Sequence, residues 1–289
     1  RNRQKKDEGR VLRIILARTV LRFYNFSELP LTYDEFSALS RTRFDNFRDL
    51  IHYGVVTTDT HPAGVQVFMY YWVKLFGDGS MVVKLPFMIA GVVSIYFTYL
   101  IAKQWFNSST GLVAAMFMAF FQYPIYLTQM ARPYASGILL SVLMVWFWSN
   151  AFLYCKNKCA GRLIGFVITM ALCAYNHYFT LFFAGVVGLS GFFVIKRDRL
   201  VTYILSLVAA IVLFLPHIRI FFVQLGKGGI GSWLAKPGPG FFLQYLEFIL
   251  HFHPLMYVVA ALLFLFSLTS LRQIKFKQNK YRWLLLSWI

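Results

Sequence analysis

Long apolar runs recur along this chain from residue 81 onward, and they constrain its fold more than any other feature. A helix needs about 20 apolar residues to cross a bilayer, and sometimes about 17 suffice. Runs at 81–102, 110–130, 133–154, 200–215 and 254–271 meet or approach that length, and another begins at 283–289. Backbone groups in hydrocarbon must be bonded within their own segment, so runs of this kind fold as helices. The expected class is all-α: a polytopic transmembrane helical bundle with about 8–9 crossings.

Residues 163–195 form one apolar stretch of 33. As a single helix it would be about 50 Å long, too long for a bilayer. It would also put "CKNKCAGR" and "KRDR" on opposite sides. A hairpin turning near Asn176–Thr180 puts both basic clusters on one side, as the positive-inside rule prefers. Its halves are short, so the turn with Asn176, His177 and Tyr178 is expected below the membrane surface, in a protein-lined cavity.

The charges give the topology. The clusters Arg1–Arg13, Lys103, Lys156–Arg162, Lys196–Arg199 and Arg272–Arg282 hold 18 of the 29 Lys and Arg, and all fall on the cytoplasmic side. The net charge of +18 is therefore read as membrane topology and not as a nucleic-acid surface. This reading requires residues 11–26, "VLRIILARTVLRFYNF", to cross the membrane, although they number only 16 and include Arg13, Arg18 and Arg22. The expected division is 1–26, a basic N-terminus and first helix; 27–80, a first outer loop; and 81–289, a helical core with an outer loop at 216–253. Cys155 and Cys159 fall in a basic cytoplasmic turn, where thiols stay reduced. The chain lacks an initiator Met and stops inside an apolar run, so it reads as part of a longer protein without a cleavable signal peptide.

Acidic residues are as unevenly placed as basic ones. Six of the 11 Asp and Glu lie between Glu28 and Asp59. "LTYDEFSALSRTRFDNFRDLIHYG" has Leu39, Phe44, Phe47, Leu50 and Ile51 at helical spacing, so the first outer loop should carry amphipathic helices. "HPAGVQVFMYYWVKLFG" reads as a helix opened by Pro62. The Gly/Pro-rich stretch at 226–240 matches no phosphate-binding loop.

Four polar groups converge on the outer face: Asp34-Glu35, the stretch Asp59-Thr60-His61-Pro62, Arg132 in "ARPYA", and His177-Tyr178. Each alone has an ordinary explanation: a solvated helix start, a helix cap, a headgroup contact, a core histidine. Together they carry more, because charge near a membrane is costly and is paired or functional. A carboxylate suits a general base. An arginine suits a phosphate held by paired hydrogen bonds. The rival class is a transporter or lipid flippase, which places its charges near the midplane between inverted repeats. Here they sit at one rim and no repeat is visible.

At these residues the sequence resembles the polyprenyl-phosphate-sugar-dependent membrane glycosyltransferases of the GT-C class. It is most similar to bacterial glycosyltransferase family 39-like proteins, related to the dolichyl-phosphate-mannose protein mannosyltransferases and the lipid A aminoarabinose transferases. The matching pieces are "LRFYNF…PLTYDE" at 21–35, "DTHPAGVQVFMYYWVKLFG" at 59–77, "KLPFMIAG" at 84–91, "ARPYASG" at 131–137 and "NHYFTLFF" at 176–183. The likeness covers about residues 20–270 and rests on their order and shared side. Two departures stand out: Pro62-Ala63 replaces a frequent double proline, and the family's chains are longer.

The resemblance implies a GT-C bundle with an inverting glycosyl transfer. Asp34 would be the catalytic base on the acceptor, with Glu35 beside it in the acidic pair. Asp59 and His61 would line the same cavity. Arg132 and Tyr134, with His177 and Tyr178, would approach the lipid phosphate, and Arg219, Lys227 and Lys236 are further candidate cations. The implied partners are a polyprenyl-phosphate-sugar donor, an acceptor that is a glycan, lipid or protein, and the membrane, with no nucleic acid. Asp34, Glu35, Asp59 and His61 are all of metal-ligating type, but their spacing establishes no site, and no obligatory metal or other cofactor is expected. The expected location is the inner or plasma membrane, with the site facing the periplasm or exterior.

Overall fold

A computed structural model describes residues 9–11, 13–15, 17, 19, 20, 23, 24, 26–155, 159–227 and 236–272. Among these residues every regular element is helical. The chain divides into two compact units, one of residues 22–94 and 127–229, the other of 1–21, 95–126 and 230–289.

The first unit opens with α1 (Tyr33–Ser40) and α2 (Leu50–Thr57), the latter wound with π-type geometry after a short helical turn at Phe47–Asp49. Next is α3 (Ala63–Phe76), entered directly from Pro62, whose fixed φ suits a helix start. Then α4 (Ser80–Trp105) runs on into the second unit. The amphipathic helices expected in 27–80 are thus present. Further on lie α7 (Pro133–Trp148), α8 (Ala160–Asn176) and α9 (Tyr178–Val194). Last in this unit come α10 (Leu200–Phe214) and α11 (Ile218–Gly226), joined through a tight turn at Leu215–His217. The packed interior under the first loop is Leu39, Met69, Val83, Phe87, Ala90, Ala131 and Ala135.

The hairpin expected in 163–195 is present. Helices α8 and α9 meet at one extended residue, His177 (φ −160°, ψ 149°), and fold back closely enough that a Cβ on Gly188 would lie 3.2 Å from Met170. Two glycines let the helices close around this break. A Cβ on Gly64 would come within 2.5 Å of the Tyr175 carbonyl oxygen, and one on Gly137 within 2.9 Å of the Asn176 amide.

The second unit packs Val11, Ile95, Tyr99, Ala115 and Ala119 together. It holds most of α5 (Ser108–Phe120) and part of α6 (Gln122–Thr128), then α12 (Phe241–Ile249) and α13 (Pro254–Arg272). His251 bonds the Phe120 carbonyl through Nε2 at 2.9 Å.

Three helical segments among the described residues are long and apolar enough to cross a membrane: Ser80–Trp105, Pro133–Leu153 and Arg197–Gly226. Two bent pairs raise this to five, Ser108–Phe120 with Gln122–Thr128 and Phe241–Ile249 with Pro254–Leu262. The 8–9 crossings read from sequence are not established by this set. The run at 110–130 bends by 60° between α5 and α6, the hairpin helices are 17 residues each, and 283–289 lies outside the described residues. The crossing expected over 11–26 also falls partly outside them, as does most of 226–240.

Residues 216–226, at the start of the expected outer loop, are helical and continue the segment begun at Arg197. One expectation is corrected. Cys155 and Cys159, expected as separate thiols, are joined by a disulfide. The turn between α7 and α8 brings their Cα atoms to 6.2 Å, within bridging range.

Candidate active site

The acidic pair Asp34-Glu35 is split by its own helix. Thr32 caps α1: its hydroxyl accepts from the Glu35 amide at 3.3 Å, and Glu35 Oε2 accepts from the Thr32 amide at 2.8 Å. This capping box satisfies two amides at the helix start and turns Glu35 back over it. The carboxylate is thereby buried, 1% exposed, and its Oε1 accepts from the Ala131 amide at 2.6 Å. Lys84 Nζ lies 3.4 Å from Oε2 and donates to the Pro30 carbonyl at 2.7 Å. One residue earlier on the helix, Asp34 is exposed and has no hydrogen-bond or ion-pair partner among the described residues. So Glu35 is a strut between α1 and the 131–133 turn, and Asp34 is the carboxylate with free lone pairs.

Asp59 is arranged the other way. It sits in the turn between α2 and α3, buried, with Oδ1 accepting from the amides of Thr60 at 2.8 Å and His61 at 3.1 Å. The same oxygen meets His61 Nδ1 at 2.8 Å, and Oδ2 lies 3.4 Å from an Arg41 guanidinium nitrogen. Burial, the largest single influence, pushes its pKa up. The bond to His61 and the charges of His61 and Arg41 outweigh burial, so the carboxyl is held below its ordinary range. Asp59 is ionised and fully engaged.

His61 lies beside His177, ring centroids 5.1 Å apart, and Tyr134 follows at 6.3 Å from His177. His177 Nδ1 accepts from the Phe179 amide at 3.1 Å. Arg132 precedes Pro133, the first residue of α7. The arginine is buried, 7% exposed, and among the described residues its Nε has no hydrogen-bond partner. A buried guanidinium with an idle donor is built to receive an anion.

The structure therefore brings together Asp59, His61, Arg132, Tyr134 and His177, and it adds Arg41, which sequence reading missed because nothing marks it out from other loop arginines. Tyr178 is tied in through its hydroxyl to Gln224. Asp34 is exposed on the first turn of α1, next to Glu35, whose carboxylate bonds the amide of Ala131, the residue before Arg132. Asp34, Glu35, Asp59 and His61 are not gathered as one ligand set, since Glu35 is engaged with Lys84 and Asp59 with Arg41. No cluster of three or more metal-ligating side chains occurs among the described residues. Lys84 was missed too, although a lysine inside "MVVKLPFM" is the kind of charge that must find a partner.

Arg132, His61 and His177 thus stand at the starts and breaks of apolar helices, with Asp59 and Arg132 buried among them. The family model of the dolichyl-phosphate-mannose-protein mannosyltransferases matches residues 60–220. The chain belongs to this family. It is accordingly a membrane glycosyltransferase of the GT-C kind. The matched region of this mannosyltransferase family member contains His61, Arg132, Tyr134, His177 and Tyr178, begins one residue after Asp59, and leaves Asp34 and Glu35 outside. No curated relative and no solved structure matches the chain.

Proposed function

We propose that the protein transfers a sugar from a polyprenyl-phosphate-linked donor to an acceptor hydroxyl or amine, with inversion at the anomeric carbon. The acceptor is a glycan, a lipid or a protein. Asp34 takes the acceptor proton as the acceptor atom bonds to the anomeric carbon. The bond from that carbon to the phosphate oxygen breaks, and its electron pair stays on the lipid phosphate. Arg132 meets the developing charge, with His61, His177 and Tyr134 completing the rim. This scheme needs no metal. The site faces the periplasm or exterior of the inner or plasma membrane, where the donor's lipid chain stays in the bilayer while its head reaches the cluster.

The observation that carries this reading is the buried Arg132, whose Nε is unpartnered among the described residues, in electrostatic reach of His177, in a chain of this family. The free carboxylate of Asp34 supports its place as base, because a base must have a lone pair available. The test uses membranes carrying the protein or its Asp34→Asn variant, given lipid-phosphate-linked sugars and an acceptor extract. Free polyprenyl phosphate is followed. Release by the wild type that falls about 10²–10⁴-fold in the variant supports the scheme. Equal release by both removes Asp34 as base, and no release with any donor removes the reaction.

A further inference from the structure

The turn that carries Asp59 and His61 is held from a distance of more than 150 residues by the end of α11. Helix α2 ends at Thr57, and the carbonyls of its last turn have no partners within the helix. Lys227 Nζ donates to the carbonyls of Val56, of Thr57 at 3.0 Å and of Asp59 at 3.1 Å, a cation at a helix C-terminus. Gln224 is buried, and its Nε2 lies 2.8 Å from the His61 carbonyl, 3.3 Å from that of Val55 and 3.4 Å from that of Asp59. Its Oε1 accepts from the Tyr178 hydroxyl. Tyr178 immediately follows His177. The two ends of one amide thus connect the His61 turn to the His177 break, the two places whose imidazoles lie side by side.

We propose that Gln224 is a positioning residue of this site, clamping the Asp59–His61 turn against the His177 break. It touches neither donor nor acceptor in the scheme above. It acts by fixing the spacing of the two histidines. Displacing a catalytic turn by about 1 Å costs a reaction about 10²-fold, so an amide that spans both walls matters to the rate without contacting substrate. The catalytic consequence rests on the glycosyl-transfer reading; the clamp itself does not.

Two measurements on the same variants keep these apart. The first is modification of individual histidines by diethyl pyrocarbonate on the purified, substrate-free protein, read by mass spectrometry. In Gln224→Leu the rates at His61 and His177 change together several-fold relative to wild type, while His253, in the other unit, keeps its rate. Gln224→Glu is close to isosteric, keeps an acceptor for Tyr178, and loses its donor when ionised. Its histidine rates depart from wild type at neutral pH and return towards it as pH falls, because the protonated carboxyl donates again. A packing defect would show no such return. The second is polyprenyl phosphate release, where Gln224→Leu lowers kcat by about 10²-fold and leaves the donor KM within about threefold. Unchanged reactivity of His61 and His177 in both variants overturns the proposal, whatever the release assay gives. Altered reactivity with no release from the wild type leaves the clamp standing and removes the transferase scheme.

Discussion

The two acidic motifs of the first loop, Asp34-Glu35 and Asp59-Thr60-His61, are built in opposite senses. In the first, a local capping box buries the second carboxylate and leaves the first bare on an exposed turn. In the second, the carboxylate is buried under an arginine and a histidine, and the imidazole remains half-buried beside His177. The first motif is closed by residues within one helical turn, then bolted to Ala131 and Lys84. The second is closed by the end of α11. Similar residue types therefore do different work, and what separates them is whether the carboxylate's lone pairs are spent on the protein.

That contrast can be broken by mutation. Asp34→Asn should remove about 10²–10⁴ of the turnover with no change in thermal unfolding in detergent, since its side chain is exposed and unpartnered among the described residues. Glu35→Gln should do the reverse. It strips the partner from a buried lysine, which costs about 3–5 kcal/mol, seen as a lowered unfolding temperature, with the surviving folded fraction still turning over. Were Glu35→Gln as stable as wild type but inactive, the roles assigned to the two carboxylates would have to be exchanged. Arg132→Lys keeps the charge and loses the planar fork, so the donor KM should rise about tenfold while turnover without donor limitation falls less.

The smallest effect expected is at Asp59, and it is defined by pH. Its carboxyl is held below the ordinary 3.8, so its stabilisation is full above that value and is lost as pH falls through the lower folded value. Asp59→Asn should therefore unfold at lower temperature than wild type at pH 7. The gap should narrow as pH drops below 4, where the wild-type carboxylate is also being neutralised. A gap constant across that range would mean that the ion pair with Arg41 and His61 contributes nothing.

Much of this was legible before any coordinates. The break of 163–195 into two helices near Asn176–Thr180 follows from length and the placement of basic clusters, and the chain does break at His177. Pro62 stands at a helix start, as read from "HPAGVQVF". These are local signals, set by residues within one turn of each other. The bend between Phe120 and Gln122 was not legible, because "MAFFQYPIYL" is continuous in hydropathy and nothing local demands a 60° change of direction.

The sequence by itself determined that this chain is a helical membrane protein, that its acids gather in one loop, and that Asp59, His61, Arg132 and His177 deserved to be considered together. Hydropathy, charge bias and motif order are properties of the chain read along its length, so they survive without a fold. Only the tertiary structure decided which carboxylate is free. The burial of Glu35 by Lys84 and Ala131, of Asp59 by Arg41, and the hold of Gln224 on the His61 turn are contacts across roughly 20 to 170 residues. Whether a polar group can react depends on which partners saturate it, and in this protein several of those partners come from distant parts of the chain.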